Sequence, residues 1–339
     1  MQKKLGGFMK RIIQFFAILT ICITLMIGCN KIDNVDKKEK LSVVTTIFPQ
    51  YDFVREIAGD TVDLTMLLKP GSESHSFEPT PKDIITIQNC DVFIYVGGES
   101  DNWVKDIINS IDTTNIKIIS LMDCVDVVEE EIVEGMEHDE EHEHDEKHEH
   151  DEKHEHDEEH EHDEEFDEHV WTSPKNAIKI VNKINEILCN LNEDNSIKYK
   201  ENTEEYINKL VELDNTFKNI VEHSSRKTLV FGDRYPFRYF SDEYGLDYFA
   251  AFPGCSTETE ASAATVAYLI EKVKLDNIPV VFHIELSNEK MADTICEATG
   301  AKKLLLHSGH NITKNDFENG ITFLDIMISN TNNLKEALK

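Results

Sequence analysis

Two α/β lobes, each with a mainly parallel sheet flanked by helices and joined by a long rigid helix, form the architecture this sequence predicts. Three observations lead there. β-Branched runs alternate with helical periods through residues 41–119, the pattern of βαβ units around a parallel sheet. The same alternation returns between Thr228 and Leu306. Between the two regions lies a stretch of helical periodicity without a strand. The length of 339 residues suits two domains, and an apolar content of 40% supplies their cores and excludes global disorder.

Each element follows from its residues. Leu41–Ile47 is β-branched and bounded by Pro49, a strand; Tyr51–Ala58 reads as a helix and Val62–Leu68 as the next strand. Asp83–Asn89 is helical, Val92–Val96 is a buried strand ending in Gly97-Gly98, Trp103–Ile111 is helical and Ile116–Ile119 is a strand. Ser173-Pro174 supplies an N-cap and N1 pair for a helix to about Leu191. After Asn192–Asn195, Tyr199, Tyr206, Leu210, Leu213 and Phe217 recur at helical spacing in a run from Ile197 to His223. At about 1.5 Å per residue it reaches roughly 40 Å, enough to join two lobes. The same period also fits two ordinary helices of the second lobe. Beyond it, Thr228–Phe231, Val280–Ile284 and Leu304–Leu306 read as strands, with helices over Thr259–Lys274 and Asn288–Thr299.

The amino-terminal segment reads as an address. Lys3, Lys4, Lys10 and Arg11 precede an apolar run from Ile12 to Ile27, short for a membrane span and right for a signal-peptide core. Met26-Ile27-Gly28-Cys29 resembles a bacterial lipobox, which implies cleavage before Cys29 and lipidation of its sulfur. An uncleaved anchor with an incidental cysteine is the alternative. Residues 29–40 are polar and aperiodic, a tether from the outer face of the cytoplasmic membrane in the cell envelope. The expected organisation is a signal peptide over 1–28, the tether over 29–40, a first lobe over 41–190, a linking helix over 191–223 and a second lobe over 224–339.

Charge sharpens the picture. The formal net charge is −32, and residues 137–169 contribute −18 of it through 20 acids against two lysines. Such a chain repels phosphates, which excludes nucleic acid as a partner. His142–Glu165 is four copies of His-Glu-His-Asp-Glu-(Lys/Glu) inside an acidic stretch over 129–168. It cannot form a core and is expected to be a disordered loop. Its nine histidines, His138, His142, His144, His148, His150, His154, His156, His160 and His162, interleave with carboxylates, a composition that binds zinc with modest affinity per site. An acidic spacer alone has no use for that spacing.

The remaining chemistry lies in six histidines and five cysteines. Cys90, Cys124, Cys189, Cys255 and Cys296 are scattered without a CxxC pair, which argues against a zinc ribbon or a disulfide framework and leaves room for one bridge. His75 sits in a turn-rich segment after a strand, His169 between the acidic loop and a helix start, and His307 and His310 after the strand Leu304–Leu306. Carboxyl ends of parallel strands are where ligand sites gather, so loop-borne histidines can converge in a cleft between the lobes. His223 and His283 read as structural, at a helix end and within a strand.

The segment Pro70-Gly71…His75-Ser76-Phe77-Glu78-Pro79-Thr80-Pro81, and Asp167-Glu168-His169-Val170-Trp171 followed by Ser173-Pro174, resemble the metal-binding lipoproteins of zinc and manganese ABC importers. The His- and acid-rich insert between them resembles the zinc branch. The likeness covers nearly all of the chain after the tether. It implies two α/β lobes joined by a long helix, with the metal in the inter-lobe cleft and His75 and His169 as the first two ligands. The branch places a third histidine where this chain has Arg234, which cannot coordinate a cation; Asp233 is the adjacent oxygen donor, and an ion pair between the two is the alternative. Where the family places an acid after the last strand, this chain has His307, with His310 and His283 as fallbacks. Three imidazoles and a carboxylate suit tetrahedral Zn2+, whereas manganese prefers more oxygen donors. The function implied is a non-enzymatic extracytoplasmic receptor, monomeric, delivering Zn2+ to an ABC permease and through it to ATPase subunits. A receptor for manganese or another divalent metal and a surface adhesin are the alternatives. A zinc hydrolase is disfavoured by the lack of a His-Glu-x-x-His motif.

Overall fold

Eight strands in two parallel sheets organise the computed structural model, which describes residues 40–72, 77–136, 165–256 and 260–339. Residues 41–339 form one compact unit. The signal peptide, Cys29, the tether up to residue 39, His75 and the nine loop histidines lie outside the described residues.

The first sheet contains β1 (Leu41–Thr45), β2 (Val62–Met66), β3 (Val92–Tyr95) and β4 (Lys117–Ser120), ordered β2-β1-β3-β4. Val43 faces Leu64 on one side and Val92 on the other. Val43, Val44, Val92, Phe93 and Ile94 are all fully buried, as expected of parallel strands covered on both faces. Helices α1 (Phe48–Ala58), α2 (Pro81–Gln88) and α3 (Asn102–Ser110) fill the crossovers. Pro49 falls in the first turn of α1, where a missing N–H costs nothing. Thr80 and Asp83 close a reciprocal capping box on α2.

Two long helices follow, α4 (Pro174–Leu191) and α5 (Ser196–Glu222). Then come β5 (Thr228–Tyr235), α6 (Arg238–Tyr244), β6 (Asp247–Pro253), α7 (Ala263–Leu275), β7 (Val280–His283), α8 (Lys290–Thr299), β8 (Lys302–Leu305), α9 (Lys314–Glu318) and α10 (Phe323–Ala337). The second sheet is ordered β6-β5-β7-β8, again parallel. Each sheet therefore reverses its winding once, between β1 and β3 and between β5 and β7, the place where α/β sheets open a ligand crevice.

The 27-residue helix α5 touches both lobes. Toward the first, Tyr199 shares a 2.8 Å hydrogen bond with Thr61, and the Asn202 amide donates to the Ile57 carbonyl. Toward the second, Phe217 packs edge-on against Phe240 at 4.8 Å, and the Tyr244 hydroxyl donates to Asp214. The lobes are not clean cuts of the sequence. The chain after β8 returns to the first lobe: Asn311 donates to the Lys69 and Ser72 carbonyls, and the Phe323 N–H donates to Asp52.

Both ends of the acidic insert are ordered further inward than composition suggests. Glu129 and Phe166 form an antiparallel bridge, and the Glu130 N–H donates to the Glu165 carbonyl at 2.8 Å. Tyr239 holds this neck, its hydroxyl donating to the Asp167 carbonyl and accepting from the Val128 N–H. Backbone pairing and a buried tyrosine outweigh the acidic composition there.

Truncating Phe217 to Ala empties an aromatic joint between α5 and the second lobe. We expect a stability loss of about 3–5 kcal/mol, read as a lower denaturant midpoint.

Candidate metal centre

Backbone geometry builds the centre around His169. Asp167 Oδ1 accepts the His169 backbone N–H at 2.7 Å and lies 3.2 Å from its Nδ1. Both side chains are buried. A short 3-10 turn, Val170–Thr172, then leads into α4, whose first residue is Pro174. Ser173 occupies the N-cap position and its carbonyl accepts the first helical bond from Ala177, but its hydroxyl makes no capping bond. From this turn the Trp171 indole N–H donates to the Ser308 carbonyl at 2.9 Å, tying the turn after β8 to the His169 segment. His310 is thereby packed edge-on against Trp171 at 5.0 Å and against His169 at 5.3 Å.

Two small cavities flank the pair, each of about 20 Å³, room for about one water or ion. The first is lined by His169, His310, Arg234, Glu285, Gly254 and Ser72, with their neighbours Pro236, Ile284, Leu286, Ser308 and Asn311. The second opens on the first sheet, where Thr46, Val96, Asp101, Phe77 and Glu168 line it together with His310. Nearly all these residues follow the carboxyl ends of strands. Gly254 is required by close approach: a Cβ there would stand 2.9 Å from the Tyr235 carbonyl oxygen, 3.1 Å from Asp167 Oδ2 and 3.2 Å from His169 Cε1.

The structure brings only part of the expected ligand set together. His169 lines the first cavity, and the residue facing it is His310; His307 is outside both linings. The tight turn explains the exchange. The His307 Nδ1 accepts the Gly309 N–H at 3.0 Å and lies 3.4 Å from Glu285, while Asn330 clasps the His307 backbone on both sides. Gly309 turns the chain at φ 75°, which sends His310 the other way.

Asp233 is likewise outside both linings, and Arg234 takes its place. Between Phe231 and Arg234 strand β5 carries one more residue than β6, and such a bulge re-aims the side chains that follow it. Asp233 instead accepts the backbone N–H groups of Arg234 at 2.9 Å and Ile284 at 3.3 Å, joining β5 to the end of β7. Burial raises its carboxyl above the usual range. The Arg234 guanidinium donates to the Ser256 carbonyl at 3.2 Å. For His75, outside the described residues, only its flanks are placed: Ser72 lines the first cavity and Phe77 the second. His283 lies beside the Ile284 carbonyl, and His223 beside the Asn219 carbonyl at the end of α5.

Two residues were missed by sequence reasoning. Glu285, two positions past β7, accepts the Ser308 N–H and hydroxyl and the His310 N–H at 2.8, 2.5 and 3.1 Å, which fixes the turn carrying His310. Cys255 follows β6, its backbone N–H held by Glu130 at 2.9 Å. One donor atom from each of Asp167, His169 and Cys255 lies within 4.8 Å of the other two. Burial alone would lower the His169 pKa, but Asp167, then Glu168 and Glu130, outweigh it and raise it. Desolvation raises Glu168 and Glu130 themselves, against the N–H bonds from Ser100 and Cys255.

Residues 43–337 match the family model described as zinc-uptake complex component A, periplasmic. The chain belongs to this family. It is 33% identical over 325 residues to the high-affinity zinc uptake system protein ZnuA of Bacillus subtilis, covering 95% of this chain and 96% of that one. It is 30% identical over 323 residues to the zinc-binding lipoprotein AdcA of Streptococcus pneumoniae, covering 94% of this chain and spanning 60% of that longer protein. The crystal structure of the Zn(II)-bound ZnuA-like domain of that AdcA superposes with a TM-score of 0.69 at 28% identity, over 88% of this chain and 99% of the domain. The two-lobed α/β fold with its long helix is thus the fold of the zinc-uptake family.

Two substitutions probe this scaffold. Glu285→Gln leaves the turn's donors an incomplete partner and should cost about 1–3 kcal/mol, measured by urea denaturation. Asp101 accepts the Val96 and Gly97 N–H groups, and burial, opposed by those bonds, pushes it up to about 7 from 3.8. Between those values the folded chain holds a proton that the unfolded chain has released, so the carboxyl favours folding most at low pH and less as pH rises through 7. Asp101→Asn should therefore flatten part of the decline in stability from about pH 4 to pH 7, seen in denaturant midpoints across that range.

Proposed function

We propose that this chain is an extracytoplasmic receptor that binds Zn2+ between its lobes and delivers it to the permease of an ABC importer. The observation that carries the reading is the buried Asp167–His169 pair facing His310 across a cavity of ionic size, at 5.3 Å between ring centroids, in a chain of the zinc-uptake family. With Asp167 at Nδ1, the Nε2 of His169 is the nitrogen for coordination, as is usual for histidine ligands steadied by a carboxylate. In this reading His75 and His310 complete three imidazoles, Glu285 positions His310, and the protein performs no chemistry on its cargo. His307 and Asp233 act in support, at the turn and at the end of β7.

The placement of the rest follows from the sequence. Lipidation at Cys29 anchors the chain to the outer face of the cytoplasmic membrane, with residues 30–40 as tether. The histidine-rich insert over 137–164 gathers zinc at modest affinity near the ordered site. The receptor acts as a monomer, and the ATPase subunits work through the permease. Because α5 and the 311–323 segment both join the lobes, metal binding favours a slightly closed arrangement rather than a wide hinge motion, and the permease distinguishes the loaded state by differential affinity.

Zinc titration with a competing chelator tests this, using the native chain, one with residues 137–164 replaced by a Gly-Ser linker, and His169→Ala and His75→Ala in the linker background. One tight site should survive the linker replacement and weaken by more than about 100-fold in each histidine variant, beyond the loss from an outer-shell change. No tight site in the linker chain would sink the cleft-receptor reading and leave the histidine repeat as the metal-binding part.

A further inference from the structure

Most of the carboxylates near His169 lie outside the first cavity, which Glu285 alone among them lines. There His169 and His310 are joined by the guanidinium of Arg234, and the Glu285 oxygens are engaged by Ser308 and His310. The anionic groups stand on the side of the insert's neck: Asp167 at 3.2 Å from the His169 Nδ1, Glu130 on the Cys255 N–H, and Glu168 on the Ser100 N–H. Cys255 stands on that side as well. It lines neither cavity, yet one donor atom from each of Asp167, His169 and Cys255 lies within 4.8 Å of the other two.

We propose that Asp167, His169 and Cys255 form a thiolate-bearing metal position contiguous with the cleft, suited to a thiophilic divalent cation such as Zn2+ or Cd2+. A carboxylate and a thiolate neutralise the two charges of the ion, and an imidazole completes a mixed oxygen, nitrogen and sulfur set of the kind such ions accept. As the sulfur–metal bond forms, the thiol proton leaves to solvent, so one proton is released for each ion bound. No oxidant or reductant takes part. The inference rests on the reading of His169 as a metal ligand and gives that histidine a second set of partners.

Cadmium titration of the full chain separates the two readings, because sulfur-to-cadmium charge transfer absorbs in the ultraviolet and the imidazoles and carboxylates of the insert do not produce it. The native chain should show a band with the amplitude of one thiolate. Cys255→Ser should abolish it while changing cleft zinc affinity little, with the other cysteines as internal controls. Asp167→Asn should weaken it by about tenfold or more. Absence of the band in the native chain, or its persistence in Cys255→Ser, overturns the proposal. If zinc still binds tightly and depends on His169 in that case, the receptor reading stands. A band without tight zinc binding in the cleft leaves this proposal standing and removes the other. Should Cys255→Ser fail to fold, the native chain decides by itself. Cd2+ should slow iodoacetamide alkylation of the partly exposed Cys255 by about tenfold, in proportion to occupancy, and an unchanged rate overturns the inference.

Discussion

A buried imidazole braced by a buried carboxylate sets the terms for everything around it. Taking a carboxylate out of water is costly unless hydrogen bonds meet it. Asp167 is met by the His169 backbone N–H and ring, and the segment is fixed by Tyr239 on its carbonyl and by the Trp171 bond to Ser308. These contacts come from both lobes, so the position of His169 reports their arrangement. The polar groups that hold the histidine thus also tie the lobes to each other, beside the joints made by α5 and the 311–323 segment.

The electrostatics follow from that burial. Glu130, Glu168 and Asp167 crowd one side of His169 and outweigh the desolvation that would otherwise lower its pKa. Arg234 and the histidines occupy the other side. The centre is therefore polarised: three carboxylates crowd the neck of the insert, whereas in the cavity the Arg234 guanidinium is offset by the single carboxylate of Glu285. In a low-dielectric interior such an asymmetry persists with little screening.

Much of the architecture was legible because hydrophobic period survives in any context. The βαβ alternation and the long helix with Tyr199, Tyr206, Leu210, Leu213 and Phe217 on its buried side announce themselves along the chain. What could not be read depended on single-residue offsets. One extra residue in β5 puts Arg234 rather than Asp233 in the cavity lining, and past a glycine at positive φ it is His310 rather than His307 that lines the cavity. No periodicity records such a shift. Strand β6, with small residues at Ala250 and Ala251, escaped for lack of a β-branched run, and α10 escaped although Thr322 and Asp325 mark its start with a capping box. Cys255 and Glu285 acquire meaning only through long-range neighbours.

The neck of the acidic insert has a consequence for how this chain tolerates change. Its two sides meet at the Glu130–Glu165 hydrogen bond and the Glu129–Phe166 bridge, and are clasped there by Tyr239. Whatever lies between them enters and leaves at one fixed point. The closure cost between two fixed ends grows slowly with chain length, by only about 0.6 kcal/mol per doubling. Six-residue units can therefore be gained or lost by slippage of a repetitive gene without disturbing Asp167 or His169, which makes the number of repeats a variable that selection can adjust independently of the fold.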